Sequence, residues 1–158
     1  NRFGELITGI GFGPLMVLGS YFVQAKVITL SSFFISIPIG ILIALVLFIN
    51  EFPDYEADKK VNKKTLVVLL GKKFSVNIYI AFLILAYIIA IAGAISGLMP
   101  YYALMVFFTL PLAYAAVKTL TKNYGKIEEL LPANKATIAL HLVFGLLLTA
   151  AYALDVIF

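Results

Sequence analysis

The chain has 158 residues, 63% of them hydrophobic and 13% charged, with one His, no Cys and no Trp, and its mean hydropathy is +1.05. That composition excludes a water-soluble domain, a disulfide framework, a thiolate metal centre and a multi-histidine site, so any metal must be held by oxygen. The net charge of +4 does not point to nucleic acid as a partner, because the lysines flank apolar runs, where basic residues report membrane orientation.

Taken in order, the apolar runs predict about five membrane spans and hence an all-α polytopic helical bundle. The first runs from about Leu6 to Val23 and the second from Val27 to Ile49. Only Gln24, Ala25 and Lys26 separate them, which makes an antiparallel hairpin. Nothing at the start reads as a cleavable signal peptide, since the first run leads directly into others without an A-x-A-like site. The chain begins at Asn1 rather than Met, as a piece of something longer would. Gly9, Gly11, Gly13 and Gly19 with Ser20 give the first span a face of small residues, which in membranes permits close helix approach. The charged stretch from Asn50 to Lys73 then reads as a loop, and its apolar island Leu66 to Leu70 is too short to span.

The third span runs from about Val76 to Ser96 and the fourth from Met99 to Leu120, with a tight turn marked by Gly97 and Pro100. A second charged loop, Lys118 to Lys135, precedes the fifth span, Ala136 to Phe158. Pro14, Pro38 and Pro111 fall within spans and should kink or locally open them, which neighbouring membrane helices tolerate. Alternating the sides puts Arg2, Lys59, Lys60, Lys63, Lys64, Lys72, Lys73, Lys118, Lys122, Lys126 and Lys135 on one face and Lys26 alone on the other. The positive-inside rule makes the crowded face cytoplasmic.

The chemistry concentrates in Asn50-Glu51-Phe52-Pro53-Asp54-Tyr55-Glu56-Ala57-Asp58-Lys59-Lys60. Asn50, Asp54 and Asp58 are four apart, so on a helix they stack along one face with a drift of about 40° per step. Like charges at i and i+4 repel unless a cation stands beside them. A hard divalent ion suits such a pair: Mg²⁺ takes one or two carboxylates together with waters and phosphate oxygens. The neighbouring lysines supply point charges for the phosphate. Pro53 disfavours helix at Phe52, so a break near Glu51 or Phe52 is expected to separate Asn50 from the aspartates. A solvated loop whose acids and lysines simply balance is the bland alternative.

The run from Asn50 through Thr65-Leu66 to Leu70-Gly71-Lys72-Lys73 resembles the second aspartate-rich motif of the UbiA superfamily of intramembrane prenyltransferases. Gly4-Glu5-Leu6 followed by Phe12-Gly13-Pro14-Leu15, and the stretch Thr137 to Leu148 containing His141 and Gly145, are similar to its menaquinone branch, the 1,4-dihydroxy-2-naphthoate prenyltransferases. The resemblance covers all 158 residues but only the C-terminal half of such an enzyme. It implies Mg²⁺ as cofactor, an isoprenyl diphosphate and an aromatic acceptor such as a dihydroxynaphthoate as substrates, and an N-terminal half carrying the first acidic motif. It also implies Asp54 and Asp58 as catalytic carboxylates and metal ligands, Asn50 as a polar partner of the diphosphate or metal, and Lys59 and Lys64 as phosphate contacts. His141, polar inside an apolar helix, is either a substrate-facing group or an interfacial one. Glu5 is placed to face the acceptor pocket. Tyr55, Tyr21 and Tyr79 offer ring faces to an allylic cation, though packing or interfacial anchoring is the commoner reason for any one of them.

Other classes remain in view. A transporter normally buries ionisable groups near the midplane, whereas these cluster at one surface. A helical assembly subunit explains a half-length chain but not three polar residues in register. Within the superfamily, a lipid-alcohol acceptor shares the same diphosphate machinery.

Overall fold

The structure is a computed structural model and describes residues 4–157; Arg2 and Phe158 lie outside the described residues. In hydrocarbon every backbone N–H and C=O must find its partner within the chain, and the apolar runs accordingly form helices. Five stretches are long and apolar enough to cross a bilayer: Gly4–Ala25, Leu30–Lys60, Lys72–Ile95, Tyr101–Asn123 and Ile127–Ile157. The protein is therefore an integral membrane protein with an all-α fold.

The first stretch is composite. Helix α1 (Gly4–Ile10) passes through a π-helical turn, Gly11–Leu15, into α2 (Met16–Ala25). Pro14 lies inside that turn, and π turns are one of the ways a helix absorbs a missing N–H. Lys26, at φ +57°, ends α2 in the left-handed conformation. Helix α3 (Leu30–Lys60) then starts from a capping box in which Thr29 Oγ1 accepts from Ser32 N and Ser32 Oγ accepts from Thr29 N, both at 3.1 Å. After α3 come the single-turn α4 (Leu66–Leu70) and α5 (Lys72–Ile95). A 3₁₀ segment, Tyr101–Thr109, feeds α6 (Leu110–Asn123), with Pro111 in its first turn where proline is tolerated. Helix α7 (Ile127–Ile157) closes the order.

Two expectations from the sequence are corrected. Asn50 to Lys60 is not loop: α3 continues through Pro38 and Pro53 for 31 residues without a break at Glu51 or Phe52. At 1.5 Å per residue that helix is about 46 Å long, well beyond a hydrocarbon core of about 30 Å, so its charged last turns emerge as helix. Glu51 and Phe52 on those turns are buried, so tertiary packing overrides the local preference set by Pro53. Likewise the Lys118 to Lys135 loop shrinks to residues 124–126, because α7 begins at Ile127. Acidic Glu128 and Glu129 in its first turn favour that start.

Helices α3 and α5, the 3₁₀ segment with α6, and α7 pack into a bundle whose centre includes Leu45, Phe48, Phe52, Tyr79, Phe144 and Leu148. Tyr79 Oη bonds Thr137 Oγ1 at 2.7 Å and Tyr87 Oη bonds Thr109 Oγ1 at 2.6 Å. Each Thr hydroxyl in turn donates to a carbonyl one turn back, Ala133 O and Val106 O. The first stretch lies outside this bundle against α3. A Cβ on Gly13 would stand 2.5 Å from Gly40 Cα, and one on Gly40 would stand 2.5 Å from Gly9 O. Gly9, Gly13 and Gly40 are thus the close-packing glycines, while Gly11 and Gly19 meet nothing within 4 Å.

Candidate functional site at the end of α3

The turn of helix that carries Asn50, Asp54 and Asp58 also separates them. Their drift of about 40° per step leaves Asn50 and Asp54 exposed and carries Asp58 into a buried position. The chain then reverses: Asn62 adopts φ +53°, the left-handed conformation that commonly ends a helix, and Lys63 N donates to Asp58 O at 2.9 Å. The same reversal brings Lys63 Nζ to both oxygens of the Asp58 carboxylate, at 3.1 Å each. Asp58's side chain is 10% exposed and Lys63's 51%, so the acid is fixed and the ammonium is reachable from outside. The hydrogen bond to Asp58 raises the Lys63 pKa, helped by the fields of Asp58, Asp54 and Glu51 against a smaller opposing effect of burial.

The other residues singled out in the sequence fall into three groups. Lys59 and Lys64 are exposed at the same end, and Tyr55 lies between two ammoniums, with Lys72 Nζ 5.0 Å and Lys59 Nζ 5.8 Å from its ring centre. That tyrosine therefore already serves cations at the surface. Asn50 Oδ1 accepts from Asn134 Nδ2 of α7 at 2.6 Å. Seven residues on, about the same face of α7 holds His141, half-buried and with Nδ1 lacking a partner. Glu5 is buried, and its Oε1 accepts from Leu66 N at 3.3 Å. Tyr79 is sealed in the bundle by Thr137. Tyr21 lies towards the end of α2, at the end of the molecule where α3 starts and Ser31 bonds Tyr152, so it belongs to the opposite end and cannot meet a cation formed at the acids.

Lys63, Asn134 and Glu51 join this end without standing out in the sequence. Glu51 and Asp58 are seven apart and share a helix face, a signal visible once α3 is continued past Asn50. Asn134 aligns with His141 once α7 is started before it. Between α1, α3 and α5 an apolar groove of about 460 Å³ runs from Glu5 and Leu66 past Gly9 and Gly40 to Ile37 and Phe82. It reaches the same end of the molecule as the acids.

The donor set fits a hard cation of the substrate-sharing kind. Among the described residues no group of three or more His, Asp or Glu forms a ready cage. Asp54 is nevertheless an exposed carboxylate one turn from Asp58, and Mg²⁺ is typically bound by one or two carboxylates completed by waters and phosphate oxygens.

The UbiA prenyltransferase family matches residues 2–143. The chain is 37% identical over 147 residues to a 1,4-dihydroxy-2-naphthoate octaprenyltransferase of Bacillus subtilis (strain 168), covering 93% of this chain and 47% of that protein. It is 28% identical over 149 residues to a 2-carboxy-1,4-naphthoquinone phytyltransferase of Synechocystis sp., with 94% and 48% covered. It is 28% identical over 156 residues to UbiA prenyltransferase domain-containing protein 1 of Homo sapiens, with 96% and 44% covered. No solved structure matches the chain. The chain spans about half the length of the curated relatives it matches. With a match across nearly its whole length, the chain belongs to the UbiA prenyltransferase family.

Proposed function

We propose that the chain is the C-terminal half of an intramembrane prenyltransferase that moves an isoprenyl group from its diphosphate onto an aromatic acceptor of the naphthoate type. One observation carries the reading: an exposed carboxylate, Asp54, stands beside a buried carboxylate, Asp58, that is bridged by a half-exposed ammonium, all at the emerging end of a membrane helix. Two curated relatives are named for naphthoate or naphthoquinone prenylation, which favours that acceptor class. The count of basic residues favours a cytoplasmic side for this end, and the reading takes the membrane to be the cell membrane.

The reaction breaks the allylic C–O bond, and its electron pair leaves with the diphosphate. A ring carbon of the acceptor donates a pair to the allylic carbon, and the ring proton is lost to restore aromaticity. Lys63 can swing from Asp58 to a phosphate oxygen on its flexible stem, as Lys64 can from solvent, to neutralise the leaving group. Asn50, held by Asn134, presents its amide beside them. Bound Mg²⁺, on Asp54 with Asp58, would share the charge of the diphosphate. The apolar groove suits the isoprenyl chain and keeps water from the cation. Glu5 and His141 are the polar groups nearest such a path for the acceptor.

A diphosphate carries close to three negative charges, and one carboxylate pair organises roughly one Mg²⁺, leaving charge uncompensated where the dielectric is low. An N-terminal half with its own acidic motif is the expected complement. The test is a prenyl-transfer assay in lipid on residues 1–158 with and without that half co-expressed. Transfer is expected only in the reunited protein; robust transfer by this chain alone, or none by the pair, overturns the reading.

A further inference from the structure

Two acids outside the Asp54 and Asp58 pair meet where three segments converge. Glu5 comes from α1 and Glu51 from α3, and both are buried, 5% and 8% exposed. Glu5 Oε1 accepts from Leu66 N at 3.3 Å, Glu51 Oε2 accepts from Val67 N at 3.4 Å, and Thr65 Oγ1 accepts from Val68 N at 3.4 Å. The first three N–H groups of α4, which no helix can satisfy internally, are thus taken by side chains from three separate segments. Glu5 Oε2 has no hydrogen-bond partner, and because the two carboxyls accept from adjacent N–H groups, Leu66 N and Val67 N, they stand side by side.

We infer that Glu5 and Glu51 are positioning residues: their carboxyl pair pins residues 63–67 across the ends of α1 and α3, which holds Lys63 and Lys64 where a diphosphate meets Asp54. The reach of the segment supports this. Lys63 is three residues from the anchored Leu66, and its ammonium and backbone N–H are both fixed to Asp58, so the short turn between Asp58 and Val67 is tied at each end. α1 is thereby joined to the phosphate-facing lysines by hydrogen bonds, whereas its glycines meet α3 by packing against Gly40, Ala44 and Leu47. What the pin is for rests on the proposed reaction; the pin itself does not.

The test separates the two. Amide exchange on this chain in nanodiscs reads the pin without any substrate. Glu51→Ala is expected to speed exchange at Leu66, Val67 and Val68 by about tenfold or more, and Glu51→Gln to leave it within about twofold, because the amide still offers an oxygen to Val67 N and an N–H to Glu5. Leu66→Pro removes one donor from the loop side without touching a membrane helix. Proline is tolerated at a first helical position, and Thr65 at φ −75° and ψ 162° already has the extended conformation that proline requires before it. In the reunited two-half protein, Glu51→Ala and Leu66→Pro should raise KM for the isoprenyl diphosphate several-fold with kcat little changed, and Glu51→Gln should restore it. Unaltered exchange in both Glu51→Ala and Leu66→Pro, or a Gln variant as impaired as Ala, overturns the inference. Should Glu51→Ala unfold the whole chain, Leu66→Pro alone decides it. Accelerated exchange in a protein that transfers nothing would keep the pin and discard the reaction.

Discussion

The first membrane stretch and the bundle behind it are held by different physics. Only 6% of the most apolar part of Gly4–Ala25 is buried, against 44% for Leu30–Lys60 and 28% for Ile127–Ile157. Leu6, Ile7, Phe12, Leu15 and Met16 point outward, and in a bilayer burying them against protein gains little, because lipid tails are as apolar as leucine. The first stretch therefore relies on close backbone approach at Gly9, Gly13 and Gly40 and on Glu5 at the acid end. The bundle instead interlocks large side chains and two Tyr–Thr hydrogen bonds. It can lose one of these and persist, whereas the first stretch has few attachments to lose.

The sharpest way to divide the two regions is by activity, and it carries the largest expected effect. Asp54→Ala or Asp58→Ala, both on the bundle's emerging helix, should each lower transfer by the reunited enzyme by about 100-fold or more while circular dichroism stays near the parent's, with the thermal midpoint unchanged for Asp54→Ala and modestly lowered for Asp58→Ala, which leaves Lys63 unpaired. Near-normal turnover in either variant would move the chemistry away from this helix end.

Stability should divide them the other way. Gly13→Ala forces a Cβ against the Gly40 backbone, which cannot yield as a side-chain tip can, and overpacking of this kind costs about 1–3 kcal/mol. Gly11→Ala, with nothing nearby, should stay within about 0.5 kcal/mol. Reversible unfolding in mixed micelles would compare them, and equal losses would show that the glycine contact is not what docks the first stretch.

Within the bundle, Tyr79→Phe removes one hydrogen bond but leaves Thr137 its donation to Ala133 O. The expected loss is about 0.6 kcal/mol, the usual scale for side-chain hydrogen bonds between membrane helices. A loss of several kcal/mol would mean that the bundle depends on this pair as heavily as the first stretch depends on glycine.

The division was only partly legible in the sequence. Apolar runs located all five spans, because lipid enforces helix wherever it touches the chain. The glycines of the first span were visible, but not that Gly9 and Gly13 meet Gly40 while Gly11 and Gly19 meet nothing, since that depends on rotation about two helix axes. Hydropathy reports where the lipid ends, not where the helix ends. For that reason Asn50 to Lys60 read as loop, and so did the start of α7, which concealed Asn134 opposite Asn50 and the buried face shared by Glu51 and Asp58. Spacing put Asn50, Asp54 and Asp58 on one helix, yet the same 40° drift that stacks them gives the last a lysine partner and leaves the first two exposed. Lys63 could not be chosen from six nearby lysines without the left-handed turn at Asn62.

The smallest expected effect lies between two ion pairs of the described residues, one tied to the acid end and one remote from it. Lys126 and Glu129 are 2.9 Å apart with side chains 68% and 49% exposed, so Lys126→Gln should change neither stability nor substrate affinity measurably. Lys63→Gln breaks a pair whose acid is 10% exposed and should cost stability modestly, its larger consequence being weaker binding of the isoprenyl diphosphate. The pH dependence has a definite sign. Because Asp58 holds the Lys63 pKa above its ordinary value, the pair's contribution is complete below about pH 10.4, the unperturbed lysine value, and is lost only as pH rises through the higher folded value. From pH 6 to 9 the difference in thermal midpoint between the parent and Lys63→Gln should therefore stay flat. A difference that shrinks within that range would mean that Lys63 is not held as an ammonium by Asp58, and that the acid end is organised by some other pair.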